Sequence, residues 1–71
     1  MHIFDRIAKA RIKLVLDHPF YGCIAMRFEL KERPEIQTMA TDGPNLYYNE
    51  PWVMALSDEE LVGVIAHEAM H

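Results

Sequence analysis

The stretch Ser57-Asp58-Glu59-Glu60-Leu61-Val62-Gly63-Val64-Ile65-Ala66-His67-Glu68-Ala69-Met70-His71 decides the fold, because it reads as a helix whose start, apolar side and chemistry are all local. Ser57 can accept the free N–H of Glu60 while the Glu60 carboxylate reaches back to Ser57, a reciprocal capping box. Leu56 before the cap and Leu61 at the fourth helical position are placed as a hydrophobic staple. Asp58, Glu59 and Glu60 put negative charge in the first turn, where the helix dipole favours it. At about 100° per residue, Leu61, Val62, Ile65, Ala66 and Ala69 cover a wide apolar arc, so the helix should be buried. Gly63 interrupts it at a cost of about 1 kcal/mol relative to alanine, which predicts close backbone packing there.

His67 and His71 stand i, i+4 on one side of that helix, flanked by Val64 and Met70, and with Glu68 they spell H-E-x-x-H. Two imidazoles one turn apart can both reach a single Zn2+ at roughly 2.0–2.1 Å. Glu68 points about 100° around the helix from His67, which makes it a poor ligand and a well-placed base for a proton from water. Short patterns arise by chance, but this one falls on a capped, apolar helix, where unpartnered histidines would otherwise be costly to bury.

Composition sets the bounds. At 71 residues the chain is one small domain, short of generous core stability without a metal, disulfide or partner. Its 51% apolar and 25% charged residues are those of an ordinary globular chain. The single cysteine, Cys23, excludes an internal disulfide, suits a reducing compartment and reads as a small buried hydrophobe. No apolar leader and no window of 18 apolar residues is present, so a cytoplasmic location is expected.

Charge is divided along the chain. All seven bases (Arg6, Lys9, Arg11, Lys13, Arg27, Lys31, Arg33) precede Pro34, beside four acids; from Pro34 onward there are seven acids and no base. The histidine helix therefore sits in negative potential, which favours a divalent cation, and the overall acidity argues against nucleic acid.

Outward from the helix, Met1 to Asp17 reads as an amphipathic helix, with Ile3, Phe4, Ile7, Ala10, Leu14 and Val15 as its stripe and Arg11 snorkelling at the edge. His18-Pro19 stops it and Gly22 turns the chain. From Cys23 to Lys31, Ile24, Met26, Phe28 and Leu30 alternate with Ala25, Arg27 and Glu29, which predicts a half-buried strand. Ile36 to Thr41 reads as a second strand, and Asp42-Gly43-Pro44-Asn45 as a hairpin turn into a third, Leu46-Tyr47-Tyr48. Asn49 can cap a short helical turn through Pro51, Trp52, Val53 and Met54. The expected architecture is α+β: an N-terminal helix, a mainly antiparallel three-stranded sheet and the C-terminal H-E-x-x-H helix, in a single domain spanning 1–71.

The run Met39-Ala40-Thr41-Asp42-Gly43, Leu46-Tyr47-Tyr48-Asn49, Leu56-Ser57-Asp58-Glu59-Glu60-Leu61 and His67-Glu68-Ala69-Met70-His71 resembles the zincin metallopeptidases. More narrowly, it is similar to a bacterial and phage metallopeptidase domain often found ahead of a von Willebrand factor A-like domain. Ala10-Arg11-Ile12 and Asp17-His18-Pro19-Phe20-Tyr21-Gly22 resemble the opening of the same domain. The resemblance implies that His67 and His71 are zinc ligands and Glu68 the catalytic base. It also implies that an antiparallel edge strand above the active-site helix pairs with extended peptide substrate, Leu46 to Asn49 being the candidate.

Zincins take a third protein ligand from downstream, so the expectation is the front half of such a domain, catalytically incomplete by itself. The alternative expectation is a non-catalytic interaction or inhibitor module on the same half-fold, with a protein partner or a second copy. Among other side chains, His18 is read as a turn residue capping backbone, His2 as solvated, and Tyr47 and Tyr48 as cross-strand packing partners rather than oxyanion donors.

Overall fold

The structure, a computed structural model, describes residues 2–70. Its elements are α1 (Ile3–Asp17), α2 (Pro19–Arg27), β1 (Glu29–Glu32), β2 (Met39–Asp42), β3 (Asn45–Tyr48), α3 (Glu50–Ala55) and α4 (Asp58–Ala69). The α+β class read from sequence stands.

Helix α1 begins at His2, whose Nδ1 accepts the Phe4 N–H at 3.2 Å and whose ring stacks on Phe4, so His2 is exposed but engaged. Ile3, Ile7, Ala10 and Leu14 repeat every three or four residues and face the core. The helix ends at His18, whose N–H donates to the Leu14 carbonyl at 2.7 Å. It is the His18 backbone that does the capping, since its imidazole makes no cap hydrogen bond at the start of α2.

The expected turn at Gly22 and strand from Cys23 are replaced by a second helix, α2. Pro19 both ends α1 and opens α2, because at a first helical turn its missing N–H costs nothing. Gly22 serves close approach rather than a turn: a Cβ there would lie 2.4 Å from the Val15 Cα. The residues actually buried in α2, Gly22 and Ala25, are spaced i, i+3, while Met26 and Cys23 face solvent. Arg11 does not snorkel outward. Its Nη1 donates to the carbonyls of Ala25 (3.4 Å) and Phe28 (3.2 Å), satisfying acceptors at the end of α2. Burial lowers the Arg11 pKa from its ordinary value.

The sheet has the order β1-β3-β2. Strand β2 runs antiparallel to β3 through the expected hairpin, where Gly43 takes a positive φ of 59°. Strand β1 runs parallel to β3, with Leu30 opposite Leu46, so only one of the two ladders is antiparallel. The second strand is also shorter than expected, because the Ile36 N–H turns back onto Arg33 and the Ile36 carbonyl is taken by the Asn49 side chain. Leu46 and Tyr48 project into the core, and Tyr47 lies on the outer face beneath the Arg33 guanidinium, 5.1 Å from its ring centroid.

Asn49 caps α3 as expected, its Oδ1 accepting the Trp52 N–H at 2.9 Å. Ile7, Leu14, Leu46, Val53, Leu61 and Ile65 are fully buried at the centre, each contributing roughly 1.5–3 kcal/mol of transfer free energy. Helix α4 packs on α1, α2 and β2.

Candidate metal centre

The start of α4 is built as its sequence dictates. The Ser57 hydroxyl accepts the Glu60 N–H at 3.1 Å and the Ser57 N–H donates to the Glu60 carboxylate at 2.8 Å. Hydrogen bonding to the Glu60 carboxyl, from the Ser57 N–H first and the Ser57 side chain second, holds it below its ordinary pKa. Leu61 is fully buried and Leu56 packs half-buried against the same core. A contact absent from sequence reasoning fixes the helix on its scaffold. Arg6 of α1 donates to the carbonyls of Val53 and Leu56, both at 2.8 Å, and to the Asp58 carboxylate at 3.0 Å. No local pattern marks Arg6, since its partners lie 47 to 52 residues away.

The helix is half-buried rather than enclosed. Leu61, Ile65 and Ala69 face the core one turn apart, whereas Gly63 and His67 are exposed and Glu68 is half-buried. A Cβ at Gly63 would meet nothing within 4 Å, so the expected close packing there is absent among the described residues. Glu60, Gly63 and His67, at i, i+3 and i+7, form one outward strip, with His67 in the last turn, at the negative end of the helix dipole. His71 lies outside the described residues. Glu68 follows His67 on the unbroken helix, rotated toward the buried side.

The other candidates divide clearly. Tyr48 is a core residue in edge contact with Phe4. Burial first, then the carboxylates of Glu32 and Glu50, raises its pKa, so the phenol stays protonated. Tyr47 is engaged by Arg33 on the outer sheet face. His18 is exposed in the α1–α2 junction. The candidate substrate strand needs correction: Leu46–Asn49 cannot be an edge, because β3 is paired by β1 on one side and β2 on the other. The antiparallel edge strand that packs on α4 is β2.

The chemistry suits a divalent metal in kind: an imidazole donor on an open helix face, with a carboxylate adjacent to it and no lysine or arginine after Pro34. These residues do not complete a site by themselves, as no group of three or more His, Cys, Asp or Glu among the described residues could hold a metal ion. No described helix is long and apolar enough to cross a membrane.

The candidate site is thus framed by a mixed sheet whose antiparallel edge strand packs on a capped helix carrying His67 and Glu68. The chain belongs to the family described as "Putative metallopeptidase domain", whose family model matches residues 4–71. No curated protein and no solved structure matches it.

Proposed function

We propose that the chain carries the metal-binding helix of a zinc-dependent peptidase, with His67 and His71 as ligands and Glu68 as general base. The observation that carries this reading is the exposure of His67 on the open strip of α4, with Glu68 beside it and β2 packed on the same helix. Zinc, when bound, supplies a Lewis acid and brings water into nucleophilic range near neutral pH. Glu68 takes the proton from the attacking water and returns it to the leaving amine. The outer edge of β2, unpaired among the described residues, offers main-chain donors and acceptors to an extended peptide. The catalytic norm is three protein ligands plus water, so the site requires His71 and one further donor beyond the described residues.

The test is a pair of variants in the natural protein. Glu68→Gln keeps volume and hydrogen bonding but removes the base, so zinc content should hold while peptide hydrolysis falls at least 100-fold, about the lower end of a general base's contribution. His67→Ala should lose zinc and activity together. Hydrolysis undiminished in Glu68→Gln overturns the assignment.

A further inference from the structure

We infer that the peptide edge beside α4 prefers cationic side chains, with Asp42 selecting them at the position it faces. This rests on the peptidase reading above and adds a substrate class to it. The register of the β2–β3 ladder places Ala40 and Asp42 on the outer face with Tyr47 and Asn45, and Met39 and Thr41 on the inner face with Tyr48 and Leu46. A strand added to the free side of β2 continues both faces. Its outward side chains then stand beside Ala40 and Asp42 at about 4.5–5.5 Å between Cβ atoms. Asp42 is exposed, and no hydrogen bond or ion pair engages its carboxylate among the described residues.

Four of the seven bases are committed elsewhere. Arg6 is held at the α3–α4 junction, Arg11 caps α2, Lys13 pairs with Asp17 at 3.0 Å and Arg33 covers Tyr47. Lys31 lies on β1, across the sheet from β2. An incoming lysine or arginine opposite Asp42 meets an unpaired carboxylate and an incoming glutamate is repelled by it, while the Arg33 guanidinium stands over Tyr47, opposite Ala40 rather than Asp42. Such a field steers association and discriminates partners by charge. Zinc adds positive charge at His67, so the preference belongs to the position facing Asp42 and not to residues flanking the scissile bond.

The experiment uses zinc-loaded Glu68→Gln protein, which cannot turn substrate over, and fluorescein-labelled Val-Lys-Val-Lys-Val and Val-Glu-Val-Glu-Val peptides read by anisotropy. The lysine peptide should bind at least about fivefold tighter in low salt, with the gap closing in high salt as exposed charges are screened. Asp42→Lys should abolish the gap, and Asp5→Lys, the same charge change on the exposed side of α1, should leave it. Equal binding of both peptides overturns the preference while leaving strand addition and the peptidase reading intact. An equal effect of Asp5→Lys overturns the role of Asp42, because net charge alone then explains the gap. Binding of neither peptide overturns the edge as a peptide site, and zinc binding at His67, measured separately, shows whether the peptidase reading survives it.

Discussion

Replacing Arg6 by methionine should be among the most damaging single changes outside the apolar core. Methionine retains much of the hydrocarbon stem, so the loss isolates the guanidinium. Two donors at 2.8 Å to the Val53 and Leu56 carbonyls disappear, leaving acceptors at the end of α3 without their charged partner. Bonds from a charged donor are worth about 1.5–3 kcal/mol each, but these acceptors are only part-buried, so water recovers some of the loss. The Asp58 pair adds little, because its carboxylate is 88% exposed against 9% for the Arg6 side chain. The expected cost is roughly 2–4 kcal/mol. Folded chains hold about 0.05–0.15 kcal/mol per residue, and a domain this small loses about 4–8 °C per kcal/mol, so a melt followed by circular dichroism should fall by at least about 8 °C. Asp58→Asn should cost under about 1 kcal/mol. An Arg6→Met melt within about 3 °C of wild type would refute the claim that this fork clamps α1 to the α3–α4 junction.

The two helical glycines should respond oppositely. Gly22→Ala drives a Cβ into Val15 backbone and should separate α1 from α2 at a cost of several kcal/mol, whereas Gly63→Ala should stabilise by about 1 kcal/mol, both read by urea denaturation. Ser57→Ala should cost about 1 kcal/mol; an unchanged midpoint would mean that the cap is not used. Because the folded Glu60 pKa is lowered, its contribution is complete above the unfolded carboxylate range and is lost as pH falls through the folded value. Glu60→Gln should therefore flatten the acid limb of stability below about pH 4.5 relative to wild type, checked by melts across pH 2–7.

The legible parts of this fold are those written within a turn or two of chain. The Ser57–Glu60 box, the Asn49 cap, the Gly43 hairpin and the α1 stripe at Ile3, Ile7, Ala10 and Leu14 each depend on neighbours three or four residues apart, and each is found, while Phe4, read into the same stripe, is exposed. Helix α2 was not legible because its cause is tertiary. Gly22 matters through contact with Val15, and the alternation at Ile24, Met26 and Phe28 resembles a strand only until α1 is laid against it. The same holds for strand order: the hairpin predicts β2 beside β3, but nothing local says that β1 adds in parallel on the other side of β3 and leaves β2 as the edge. For the site, the spacing of His67 and Glu68 was readable from the motif. That Gly63 and His67 share an open strip required the packing of α4 on α1 and β2.

The most direct test of the central claim is calorimetric titration of zinc into the wild-type protein and into His67→Ala. The account predicts one zinc per chain with a melting temperature that rises on binding, and at least a tenfold weaker affinity in the variant, with little of that rise. Indistinguishable zinc binding by the two proteins would contradict it.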